Sequence, residues 1–172
     1  MNWYIIYTTP RSEKKVAERL DKAEFEYYLP LTKKIRQWSD RRKIVEEPLF
    51  NSYIFIKTDL HYKYDITHID GVVKFVSFRN EPAIISDNEI ELIKNTLAHD
   101  AENIEVEGFN YKKGEKIIVN NGPLIGYTGE VVNVNNIDKL IVRLEGINQA
   151  LIVNIDKDYV EKTTKEKNYI KL

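Results

Sequence analysis

The chain has no cysteine among its 172 residues. Disulfides and thiolate metal sites are therefore excluded, and a reducing cytoplasm is the expected compartment. Histidine is scarce. The three present, His61, His68 and His99, share no i, i+4 spacing that would place two imidazoles on one metal. Packing or surface roles are expected for all three, and no cofactor is implied. Excess charge is missing too: Lys+Arg 26 against Asp+Glu 27 leaves a net −1. Such a chain does not wrap nucleic acid by bulk charge, so any contact must come from a local patch. No run is long and apolar enough to cross a membrane, and Met1-Asn2-Trp3-Tyr4-Ile5-Ile6-Tyr7 has no basic leader. There is no Gly-x-Ser-x-Gly elbow. Gly122, Gly126 and Gly129 lack the Gly-Lys-Ser/Thr end of a phosphate loop, and the acidic residues are scattered. The expectation is a non-enzyme.

What is present is ordinary folded-protein composition, 42% apolar and 31% charged, in a length that suits one large domain or two small ones. The first half mixes strand and helix signals. Trp3 to Thr8 is aromatic and β-branched, a buried strand. Thr9-Pro10 reads as N-cap and first helical position of an amphipathic helix of about four turns, with Val16, Leu20 and Ala23 on its apolar face. Tyr27 to Leu31, Ser52 to Lys57 and Val72 to Phe78 read as strands, and His61 to Ile69 as a short helix. Lys33 to Glu47 is polar and charged, a hairpin or arm. Ser86-Asp87-Asn88-Glu89 is a capping box, followed by Ile90, Ile93 and Leu97 on one helical face. Interleaved strands and helices give an α+β sandwich, a mostly antiparallel sheet flanked by helices, over residues 1–98.

The texture changes after Ala98. Residues 99–111 are acidic at first and aperiodic, a linker reaching on the order of 20 Å. Residues 112–164 are all strand grammar: Glu115 to Val119, Gly129 to Val134, Lys139 to Leu144 and Leu151 to Ile155, separated by turn residues. That spacing predicts a small β-barrel, with a charged tail over 165–172.

Six segments in order resemble the NusG family of transcription factors, which includes the specialised paralogues RfaH and UpxY. They are Trp3-Tyr4-Ile5-Ile6-Tyr7; the helix from Pro10 to Leu20; Glu47-Pro48-Leu49-Phe50-Asn51-Ser52-Tyr53-Ile54-Phe55; Gly71-Val72-Val73-Lys74-Phe75-Val76; Pro82-Ala83-Ile84-Ile85-Ser86; and, in the second half, Lys113 to Val119 with Asn121-Gly122-Pro123 and Gly129-Glu130-Val131-Val132, which looks like a KOW motif. The resemblance implies an NGN domain followed by an SH3-like KOW β-barrel. It implies an elongation and antitermination factor that docks on the β′ clamp coiled coil of RNA polymerase, bridges to the β subunit and suppresses pausing or termination. The KOW domain would recruit Rho or a small-subunit ribosomal protein. A monomer without membrane contact is expected.

Tyr53 and Phe55 point to one sheet face, Ile54 and Ile56 to the other. Both faces are apolar, so one can meet the helices and the other a partner. The resemblance assigns Tyr7, Phe50, Tyr53, Phe55 and Phe78, completed by Ile90 and Ile93, to polymerase binding; residue type alone leaves ordinary core as an equal reading. Lys33, Lys34, Arg36, Trp38, Arg41, Arg42 and Lys43 suit a phosphate backbone and a stacked base, but a solvated hairpin is the preferred reading. Arg11, Lys14 and Lys15 are the preferred candidates for non-template DNA, by resemblance to the specialised paralogues. Gly146, Ile147, Asn148 and Gln149 correspond to the KOW partner edge.

Three departures matter. Phe50-Asn51-Ser52-Tyr53 stands where NusG has Phe-Pro-Gly-Tyr, and the flanking Glu-Pro-Leu-Phe and Pro-Ala-Ile-Ile are closer to RfaH and UpxY, which points to a specialised paralogue. Tyr62-Lys63-Tyr64-Asp65 replaces the His-Thr-Thr-Thr with which RfaH meets the β subunit. Ile147 stands where NusG has a large aromatic, which weakens the implied contact with Rho or the ribosomal protein. Unlike RfaH, whose C-terminal domain is stored as helices, this Val/Ile-rich segment with Pro123 is expected to stay β. The alternative is a free-standing nucleic-acid- or ribosome-binding KOW protein.

Overall fold

The computed structural model describes residues 1–37, 42–100, 104–108, 115–120, 124–134, 137–144, 147, 149–154 and 160–162. Strand β1 (Asn2–Thr8) is the spine of the first sheet. It runs antiparallel to β5 (Tyr53–Thr58), in register from Asn2↔Thr58 to Tyr7↔Tyr53. Its other edge pairs with β6 (Val72–Phe75) near one end and β9 (Ile84–Ile85) near the other. Strand β2 (Glu26–Tyr28) flanks β5. Trp3, Tyr4, Ile5, Ile6 and, beside them, Ile54, Phe55 and Ile56 are all buried. Consecutive strand residues face opposite ways, so both faces of this sheet are covered.

Helices supply both covers. Val16, Ala17 and Leu20 of α1 (Glu13–Lys22) and Ile66 of α2 (Lys63–Thr67) pack on Tyr4, Ile6, Ile54, Ile56 and Phe75. Ile90, Leu92 and Ile93 of α3 (Asp87–Asp100) join Trp3, Ile5, Phe55 and Ile85 in the cluster of the other face. The face expected to be left for a partner is therefore not bare. Each such Ile or Phe contributes about 2 kcal/mol by leaving water, enough to favour a second covering helix.

Helix α3 begins as expected. Ser86 N donates to Glu89 Oε2 (2.8 Å), and Glu89 N donates to Ser86 Oγ (3.2 Å). Helix α1 does not. Arg11 takes a left-handed φ of 62°, Ser12 N donates to Thr9 O, and Val16 N donates to Ser12 O. The helix thus starts at Glu13 with Ser12 at its N-cap, runs 10 residues, and leaves Thr9 and Pro10 in the preceding turn.

Strands β3 (Leu31–Gln37) and β4 (Arg42–Pro48) form a two-stranded arm that joins no other sheet among the described residues. Trp38 and Arg41 lie outside those residues. The arm is anchored at its root: Thr32 and Leu49 are buried, and Leu49 N donates to Pro30 O. The next turn carries Ser52 at φ 65°, its amide donating to Oε1 of the buried Glu13 at 2.6 Å. A smaller hairpin joins β7 (Ser77–Phe78) to β8 (Glu81–Pro82) through Arg79 and Asn80, at φ 51° and 69°. Positive φ at both central residues is the mirror-image turn whose twist suits a two-residue hairpin.

The second sheet is fully antiparallel, in the order β10-β14-β13-β12-β11-β15: β10 (Glu105–Gly108), β11 (Glu115–Val119), β12 (Thr128–Val134), β13 (Ile137–Leu144), β14 (Gln149–Asn154) and β15 (Val160–Lys162). Ile117, Val119, Leu140, Leu144, Leu151 and Val153 are buried in its core, as expected of the small barrel. Four strands fall where the sequence reading places them. Strand β10 lies inside the segment read as linker, and α3 runs two residues beyond Ala98. Buried residues of the α3 face and of this core belong to one contiguous apolar cluster.

Two substitutions test these local accounts. Ser86→Ala removes the cap on α3 and should cost about 1 kcal/mol in urea denaturation. Ser52→Gly relieves a left-handed side-chain clash that outweighs the added chain entropy, so unfolding free energy should rise by about 0.5–1 kcal/mol; a fall would mean the Ser52 side chain stabilises the turn more than its backbone strains it.

Candidate functional site: an apolar margin and a basic flank

The register of β1 against β5 sets Tyr7 opposite Tyr53, their rings edge to face at 5.4 Å. Both are half-buried. Burial, and then Tyr7 beside it, push the Tyr53 hydroxyl above its usual pKa. Beneath lie Phe50 and Phe55, T-shaped at 5.7 Å and both fully buried, in one cluster with Ile90 and Ile93 of α3. Six of the seven residues assigned to polymerase binding thus come together, the tyrosines at the margin and the other four as its support.

Phe78 sits apart, on the β7–β8 hairpin. It is 68% exposed, with the Arg79 guanidinium 5.3 Å from its ring centroid. The hairpin is tied to the spine strand, since Val76 N donates to Ile5 O and Ala83 N to Val76 O. Tyr28 was not singled out from the sequence. It stacks on Phe55 at 6.3 Å beneath the Lys94 ammonium, and burial, then Glu91, push its pKa up to about 12. Its only sequence signal was membership of a strand.

The basic candidates lie at the start of α1. Arg11 is exposed in its left-handed turn, Lys15 is exposed, and Lys14 Nζ donates to Glu46 O at 2.8 Å, tying the helix to the root of the arm. Of the KOW edge, Ile147 is buried in the core, and Gln149 holds a buried Oε1 with no hydrogen-bonding partner among the described residues. Gly146 and Asn148 lie outside them.

The sequence reading noted Tyr62 and Tyr64 only as a departure from the family pattern. Both are exposed, together with Leu60, on the 3-10 turn Leu60–Tyr62 and α2. Their rings lie against histidines, His61–Tyr62 at 3.7 Å and Tyr64–His68 at 4.0 Å. Asp59 accepts from the His61 backbone and faces its ring, which together draw the Asp59 carboxyl below its ordinary pKa. No group of His, Asp or Glu among the described residues could hold a metal ion. No helix among them is long and apolar enough to cross a membrane.

Residues 1–94 match the protein family described as NusG, transcription termination factor nusG. Transcription termination/antitermination protein NusG of Rickettsia felis is 26% identical, across 93% of this chain and 89% of that one. The protein of the same name in Bacillus subtilis is 24% identical, across 78% and 82%. A solved structure of Thermotoga maritima NusG, described for its domain interaction, has the same fold at a TM-score of 0.54 and 20% identity, across 94% and 96% of the two chains. With more than half its length matched by the family, in a fold that the solved relative shares, this chain belongs to the NusG family of transcription termination/antitermination factors.

Proposed function

We propose that this chain is a specialised elongation and antitermination factor, with residues 1–98 as an NGN domain docked on the β′ clamp coiled coil of RNA polymerase. The observation that carries the reading is the apolar margin: Tyr7 and Tyr53 half-buried over fully buried support, with Phe78 exposed on the separate β7–β8 hairpin. Aromatic anchors held rigid by packing lose little entropy on binding, which is what an interface hot spot requires. The exposed Leu60, Tyr62 and Tyr64 supply a second contact, toward the β subunit, with aromatic chemistry in place of the hydroxyls used by RfaH. Arg11 and Lys15 contact non-template DNA, while Lys14 fixes the geometry between α1 and the arm. The barrel recruits a partner through the segment Gly146, Ile147, Asn148 and Gln149, as the family resemblance implies. Rho and a small-subunit ribosomal protein are the candidates. Such a factor works as a monomer in the cytoplasm, without a cofactor and without catalysis.

The test is a titration of the full chain against an isolated clamp coiled coil. Phe50→Ala is a poor probe, because truncating a fully buried Phe costs about 3–5 kcal/mol of stability. Tyr53→Ala and Phe78→Ala are suitable, and each should weaken binding by about tenfold or more. Phe78→Ala should leave stability within about 0.5 kcal/mol, as its side chain is mostly exposed. Unchanged affinity in both variants, each shown to be folded, would refute docking through this margin.

A further inference from the structure

The open edge of the first sheet is not absorbed by that reading. Strand β2 ends the order β2-β5-β1-β6, and among the described residues no strand pairs with its other side. An edge strand turns the amide and carbonyl of alternate residues outward, where another chain can pair with them. Beside this edge runs an open groove of 620 Å³, with α1 as its second wall. The helix lines it with Lys14, Ala17, Glu18 and Asp21. Their spacing is i, i+3, i+4 and i+7, so one stripe of the helix faces the groove along its length. From Lys14 to Asp21 the helix rises about 10 Å. The three residues of β2 extend about 10 Å as well, so the two walls match in length.

The lining narrows the occupant. On the strand side, Phe25, Tyr27 and Leu29 alternate and pack against the cluster under α1, yet all three are only half-buried. The charge is one-sided. Glu18, Asp21 and Glu26 are exposed, and none has a side-chain hydrogen bond or ion pair among the described residues. Lys14, the cation of the lining, donates to Glu46 O at 2.8 Å. Three carboxylates against one ammonium leave a net −2. Such a rim repels a nucleic-acid backbone and draws in a cation. A guanidinium suits it best, since its planar fork meets carboxylates and stacks on aromatic rings such as those of Phe25 and Tyr27. An extended chain meets the other requirement: its main chain pairs with the open edge while alternate side chains enter the groove. Its remaining side chains pass the other face of the strand, where Glu26 alternates with Phe25 and Tyr27.

We infer that the groove between α1 and the open edge of β2 is a docking site for an arginine-bearing extended segment of a partner protein. The segment adds to the sheet beside β2 and sets guanidinium groups against Glu18 and Asp21. This does not rest on docking to the clamp: Tyr53 and its supports lie on the α3 side of the sheet, and the floor of the groove on the α1 side.

Amide-resolved NMR titration of the nitrogen-15-labelled full chain with a capped octapeptide of alternating arginine and valine tests it. Saturable one-to-one shifts should appear at residues 17–21 and 25–29. Glutamate in place of the arginines should abolish them. Alternate amides of a paired strand face the neighbour. N-methylation of the peptide should therefore abolish binding in one phase, at the arginines or at the valines, and spare it in the other. Glu18→Gln with Asp21→Asn, both at exposed positions, should keep the spectrum of the rest of the chain and weaken binding about fivefold, the modest worth of two ion pairs near a surface. No saturable shift, unchanged affinity in that variant, or equal effects of the two N-methylation phases would each overturn the inference. Two other occupants would overturn it as well. Shifts at 17–21 and 25–29 that grow with protein concentration alone would put a second copy in the groove. Shifts at Lys165, Lys167 and Lys171 caused by the double variant without peptide would put the chain's own lysine-rich end there.

Discussion

Strand β1 lies between β5 and the β6/β9 edge, and four consecutive residues of it, Trp3 to Ile6, are buried. A strand buried on alternate sides needs cover above and below, and the three helices of the first half answer to that requirement. Helices α1 and α2 close the side of Tyr4 and Ile6, and α3 closes the side of Trp3 and Ile5. Trp3 even fixes where α3 begins: its indole Nε1 donates to Asp87 Oδ1 at 3.0 Å, and Lys57 on the neighbouring strand faces the same carboxylate at 3.4 Å. With both faces filled, what remains for a partner is the margin, where Tyr7 and Tyr53 are only half covered.

The stretch from Glu46 to Tyr53 joins that margin to the rest. Lys14 reaches the carbonyl of Glu46, Glu13 accepts from Ser52, and Thr8 at the end of β1 donates its amide to the Ser52 carbonyl at 2.8 Å. Helix α1, the arm and the start of β5 are thus held by one short segment, so the basic flank and the apolar margin keep a fixed relation. The strain at Ser52 falls in the same segment. Where NusG carries glycine, this chain holds a serine in the left-handed region, and the buried carboxylate of Glu13 helps to hold it there.

Elements with a strong period of their own were legible. The alternation of Tyr53 to Ile56 announced two apolar faces, the Ser86–Glu89 box announced α3, and the β-branched runs of the barrel announced four of its six strands. What escaped were elements made by their neighbours. Strand β10 is acidic and becomes a strand by pairing with β14, from Glu105↔Ile152 to Gly108↔Gln149. Strand β15 is three residues fixed by β11. Thr9-Pro10 has the composition of a helix start, but the left-handed turn at Arg11 moves the start three residues on. The candidate site was partly legible for the same reason. Residue type and resemblance brought Tyr7, Phe50, Tyr53 and Phe55 forward, yet periodicity does not say on which face a distant helix lands, so the division between half-buried tyrosines and fully buried phenylalanines needed the fold.

Hydrogen–deuterium exchange of the full chain, with and without core RNA polymerase, is the most direct test of the apolar margin as the docking surface. Added protection at residues 53–58 and 76–84, with the backbone of β10 and β15 unchanged, is the expected result. Protection confined to the barrel strands between 115 and 154, with exchange at 53–58 and 76–84 unaltered, would contradict it and move the polymerase contact to the second sheet.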